Sequence, residues 1–127
     1  FFLLSCIRII MINLHMKIIK EKRENYTILK INNEKLDSTL SPNLKSEFVM
    51  LNKQGESKFL LDLSDVKYCD SSGLSALLIG NRLCNDIDGK FVMCSMQEMV
   101  KKLIEISQLD KILNITENIK EAEELMA

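Results

Sequence analysis

The chain has 127 residues, 46% of them hydrophobic and 28% charged, with a net charge of −1. That size suits one domain with a real core. Balanced charge, 6% aromatics and no Trp argue against the basic stripe and stacking surface that bind nucleic acid, so no nucleic-acid partner is expected.

Residues 1–15 are apolar but interrupted by Arg8 and Asn13. The run is shorter than the ~20 residues of a membrane-spanning helix. It has no basic stretch before it and no small-residue cleavage site. It reads as a leader outside the fold, without stable membrane insertion, and the folded domain is expected over 16–127. Residues 17–22 and 26–31 read as strands, with Arg23-Glu24-Asn25 as the turn of a hairpin. Residues 32–39 form a polar connection. Ser41 reads as an N-cap and Pro42 as the first helical residue. Leu44, Phe48 and Leu51 recur at helical spacing and carry that helix to about Asn52.

Residues 58–63 read as a buried strand leading through 64–69 to a polar knot, Asp70-Ser71-Ser72-Gly73. A second helix is expected from about Ser72 to Asn85, with Leu74, Leu77 and Leu78 facing the core. Asn81, seven residues after Leu74, would mark the edge of an exposed face. Asp88-Gly89 is a turn and 90–95 a buried strand. Met96, Met99, Val100 and Leu103 mark a third helix, and 112–115 a last short strand. Thr116 or Asn118 would cap a final helix with Ile119, Ala122 and Met126 inward. Strands alternating with helices predict an α/β domain with parallel pairing and one antiparallel edge from the hairpin.

Catalytic constellations are thin. There is no glycine-rich phosphate loop and no nucleophile elbow. The single histidine, His15, lies in the leader, and an exposed Asp70 is a weak base near neutral pH. No catalytic residue is assigned and no enzymatic activity is expected. Cys6, Cys69, Cys84 and Cys94 form no C-x-x-C pair, so neither a metal site nor a cofactor is expected. Cys84 and Cys94 read as small core residues of a reducing compartment, and Cys69 as packing. On its residues alone, the knot admits two readings. One is a capping turn whose glycine permits tight packing. The other is a pair of hydroxyls at a helix N-terminus, where an added phosphate is tolerated.

The run Leu61-Asp62-Leu63-Ser64-Asp65-Val66-Lys67-Tyr68-Cys69-Asp70-Ser71-Ser72-Gly73-Leu74 and the Ser75-Ala76-Leu77-Leu78 after it resemble the STAS domain of bacterial anti-sigma factor antagonists. The hallmark there is D-L-x-x-V/L-x-x-x-D-S-S/T-G-L after a central strand. The likeness continues through Gly89-Lys90-Phe91-Val92-Met93-Cys94, Val100-Lys101-Lys102-Leu103, Leu109 and the final acidic helix. It covers roughly 16–127. It implies a STAS fold, a mixed, mostly parallel sheet with helices mainly on one face. It also implies a cytoplasmic regulator that binds an anti-sigma factor with serine kinase activity and so frees a sigma factor. Phosphorylation at Ser71 would abolish binding, and a phosphatase would restore it. Asp70, Ser72, Gly73 and Leu74 match the docking motif. Leu36-Asp37 resembles the family's G-x-L-D turn, with Glu34 in place of its glycine. Asp37 and Asn81 complete the expected partner-binding set. The alternatives are a STAS subunit of a membrane lipid or anion transport complex contacting an ATPase, and a small hydrolase using Ser71 or Ser72.

Overall fold

A computed structural model describes residues 17–126. The leader expectation for 1–15 lies outside the described residues. The alternating 17–31 region folds back on itself as β1 (Ile18–Lys22) and β2 (Thr27–Ile31), an antiparallel pair closed by Arg23 N donating to Tyr26 O at 2.8 Å. Then come β3 (Lys35–Leu36), α1 (Ser41–Lys53), β4 (Lys58–Asp62), β5 (Tyr68–Cys69) and α2 (Ser71–Asn85). The chain continues as β6 (Lys90–Cys94), α3 (Glu98–Ile106), a 3-10 turn at Leu109–Lys111, β7 (Asn114–Thr116) and α4 (Ile119–Met126). The main sheet runs β1-β2-β4-β6-β7, parallel except for the hairpin, as the alternation of strands and helices predicted.

Strand alternation sorts the core into two layers, because successive side chains point to opposite faces. Leu29, Ile31, Phe59, Leu61, Phe91 and Met93 face one way and meet the inner faces of α1, α2 and α3. Ile28, Leu60, Val92 and Cys94 face the other way, under Ala122 and Met126 of α4. Three helices therefore share one face, and one short amphipathic helix covers the other. In the larger layer Phe48 stacks on Phe59 with centroids 5.7 Å apart and meets Phe91 edge-on at 5.6 Å. Gly80 of α2 makes room for this trio, since a Cβ there would lie 2.8 Å from both Phe48 and Phe91.

Five local expectations change. Ser41 is not the cap of α1: Leu40 holds that position, and the Ser41 hydroxyl turns back to Asp37 O at 2.7 Å. Leu78 and Asn81 exchange roles. Leu78 is among the exposed residues of α2, and Asn81 is 5% exposed on its buried side. In α3 the inward positions are Val100 and Ile104, while Met99 is 67% exposed. Ile112 and Ile119 are exposed, and Leu113 supplies the buried contact before β7. The connections 32–39 and 64–69 are not simple loops. They carry β3 and β5, which pair in parallel as a separate ribbon, Lys35 opposite Tyr68 and Leu36 opposite Cys69. This ribbon positions the polar knot.

Candidate functional site

β5 alternates, with Tyr68 outward and Cys69 buried, and delivers the chain to Asp70 in extended backbone. Asp70 N donates to Leu36 O at 3.3 Å, which ties the knot to β3. Asp70 is the N-cap of α2. Its Oδ1 accepts from Ser72 Oγ at 2.6 Å and from Gly73 N at 3.0 Å, so one of the unpaired amides of the first helical turn is satisfied. These bonds, the Ser72 hydroxyl first and the Gly73 amide next, hold the Asp70 carboxyl below its ordinary value of 3.8.

Asp37 makes a second, similar turn at the start of α1. Its Oδ1 accepts from Thr39 Oγ1 at 2.6 Å and Thr39 N at 3.0 Å. The Thr39 bonds lower its pKa as well, against a smaller opposing push from the Asp70 charge. Both carboxylates are therefore ionised at neutral pH and lie within each other's field.

Gly73 is required by close approach, not by backbone conformation. A Cβ at this position would lie 2.4 Å from Leu36 O and 2.6 Å from Cys69 Sγ. The β3–β5 ribbon packs directly on the first turn of α2, and only a residue without a side chain fits between them. Leu74 N closes the first helical turn on Asp70 O at 3.0 Å, and its side chain packs partly buried against the core.

The two hydroxyls of the knot differ. Ser72 is half-buried and committed to Asp70, with Ser41 Oγ a further 3.3 Å contact. Ser71 is exposed, and its hydroxyl makes no hydrogen bond among the described residues. Among the described residues no base is hydrogen-bonded to its hydroxyl.

The structure thus brings Asp37, Asp70, Ser71 and Ser72 to one end of the molecule, with Gly73 and Leu74 beneath. It does not bring Asn81 there. That residue lies ten positions beyond Ser71, about 15 Å along the helix, and is buried, which corrects its expected place on a partner-facing edge. Two residues of this end are not among the expected site residues: Tyr68, 51% exposed beside the knot, and the buried Ser41, which reads in the sequence only as an N-cap. The Tyr68-Cys69 alternation was a signal for the first; none marked the second. The Cys69 thiol is pushed up to about 12, by burial first and the Asp70 charge second, so it is a packing group and not a reactive thiolate.

The family model of the STAS domain matches residues 17–122. The chain belongs to the STAS domain family. A Thermotoga neapolitana relative named as an anti-sigma factor antagonist is 38% identical over 72 residues, 57% of this chain and 63% of that protein's length. The crystal structure of a Thermotoga maritima protein described as an anti-sigma factor antagonist superposes with a TM-score of 0.78, covering 88% of this chain and 96% of that one at 24% identity. The Bacillus cell fate determinant SpoIIAA in its phosphorylated form has a TM-score of 0.69, covering 87% of this chain and 99% of that one at 15% identity. The last two likenesses show the STAS fold alone. Among the described residues no helix is long and apolar enough to cross a membrane.

Proposed function

We propose that this STAS domain is a non-catalytic, phospho-switched antagonist of an anti-sigma factor, acting in the cytoplasm. Unmodified, the end of the molecule carrying Asp37, Tyr68, Asp70 and Ser71 binds an anti-sigma factor that is also a serine kinase, and a sigma factor is released. The kinase transfers the γ-phosphoryl of ATP to Ser71 Oγ: the new O–P bond forms, ADP leaves, and the hydroxyl proton passes to a base on the kinase. A phosphatase reverses the step. The observation that carries this reading is the contrast between the two serines, one free at the first helical position and one bonded to the cap. A phosphate on Ser71 adds about −1.5 to −2 charge at pH 7. The positive end of α2 tolerates it locally. A partner that has docked against Asp37 and Asp70 must then desolvate a dianion beside two carboxylates, so binding is lost while the fold persists.

The test is to incubate the chain with ATP and an extract of the cells it comes from, then locate phosphate by mass spectrometry. The expected result is phosphate on Ser71 and none on the knot in Ser71→Ala. Phosphate confined to Ser72, or no phosphate at all, would overturn the reading.

A further inference from the structure

Among the described residues Ser41 is the one buried hydroxyl at this end of the molecule, 1% exposed at the first position of α1. A buried hydroxyl is costly unless it is bonded. Its oxygen lies 2.7 Å from Asp37 O, a carbonyl that already accepts from Leu40 N at 3.1 Å and Ser41 N at 2.8 Å. Satisfying that carbonyl therefore does not require the Ser41 side chain. The other side of the Ser41 oxygen lies 3.3 Å from Ser72 Oγ, where either atom can donate. Ser72 in turn donates to Asp70 Oδ1 at 2.6 Å. The result is a chain of polar contacts from the Asp37 turn, through Ser41 and Ser72, to the Asp70 cap. Each hydroxyl has one proton; with that of Ser72 given to Asp70, the contact between the two serines is made by the proton of Ser41, which Ser72 Oγ shares with Asp37 O. The turn and the cap belong to different segments, which the β3–β5 ribbon joins through backbone pairing that ends at the longer Asp70 N to Leu36 O bond, 3.3 Å.

We infer that Ser41 is a positioning residue of the switch. Acting through Ser72, it fixes the spacing between the Asp37 turn and the Asp70 cap at which a partner kinase meets Ser71. The inference rests on the proposed function. A partner reading both carboxylates needs them at one spacing, and small misplacements of a reacting group are expensive.

The test compares wild type, Ser41→Ala, Ser72→Ala and the double variant as substrates for the kinase activity of the source-cell extract with labelled ATP, following label on Ser71 against chain concentration. Each single change is expected to raise the apparent KM roughly fivefold with the maximal rate within about twofold, and the double variant to be no worse than the worse single one. Melting of the same four proteins separates this from simple destabilisation, because the changes in KM will not follow the changes in Tm. Label on Ser71 with additive effects on KM, or with no effect of Ser41→Ala, would overturn the inference alone. No label on wild-type Ser71 would overturn the switch reading and this inference with it. A kinase-free measurement stands beside these. Ser72→Ala lies in α2, yet it should speed hydrogen exchange of the Thr39 amide in the Asp37 turn, and unchanged exchange would contradict the coupling.

Discussion

At Asp70 a single carboxylate oxygen receives a hydroxyl and an amide, and the charge it carries there has a thermodynamic consequence. Its folded pKa lies below the ordinary value of 3.8, as does that of Asp37. A carboxyl lowered in the folded state contributes stability that is complete above its unfolded pKa and is lost as pH falls through the folded one. Asn caps a helix about as well as Asp but carries no titrating charge. Asp70→Asn should therefore melt below wild type at about pH 6 and converge with it as the pH is taken below the ordinary carboxylate range. Thermal melts across that range check this, and parallel curves for the two proteins would contradict it. At the same scale, Gly73→Ala places a methyl group against Leu36 O and Cys69 Sγ. Denaturant unfolding should show a loss of about 1–3 kcal/mol, the usual cost of overpacking, and a neutral outcome would mean that the ribbon gives way easily.

Among the elements, α3 shows how periodicity locates a helix without fixing its rotation. Met96, Met99, Val100 and Leu103 correctly announce a helix, but the side buried against the sheet is centred on Val100 and Ile104. Met99 and Ile106, one heptad apart, lie on the outer face. Ile104→Ala should cost about 2–5 kcal/mol and Met99→Ala no more than about 0.5 kcal/mol, as read from denaturant midpoints. The reverse ranking would mean that the helix is turned. Most of the fold was legible in this way. The hairpin and the helix after the knot were legible from their patterning, and the buried strands β4 and β6 from short continuous apolar runs. The β3–β5 ribbon was not legible, because two two-residue strands leave no period to read, and their pairing is a tertiary event. The knot itself was legible as a strand-to-helix turn with a cap. The roles of its neighbours were not. Ser41 has the sequence look of an N-cap, yet the turn at Asp37 takes over the start of α1 and draws its hydroxyl backward. Asn81 has a polar side chain on a stripe that tertiary packing buries.

Taken whole, the described residues form a sheet domain with Cys69, Cys84 and Cys94 buried and the polar knot at one end. Burial pushes Cys84 up to about 12 and Cys94 up to about 11, alongside Cys69 at about 12. At about pH 8, iodoacetamide should leave these three sites unmodified in the folded protein and label them in denaturant, since the thiolate is the reacting species. Rapid native labelling of Cys69, followed by peptide mass spectrometry, would contradict its role as a packing group under Gly73. On the proposed function, the charge state of Ser71 sets partner affinity without changing the fold. The most direct measurement is the affinity of wild type, Ser71→Ala and Ser71→Asp for the kinase recovered from source-cell extract, with melting recorded on the same samples. Ser71→Ala should bind like wild type. Ser71→Asp should bind at least about tenfold more weakly, a difference of ~1.4 kcal/mol, with nearly unchanged melting in both. An Asp variant that binds as tightly as wild type, or one that loses binding only because it has unfolded, would contradict the proposed function.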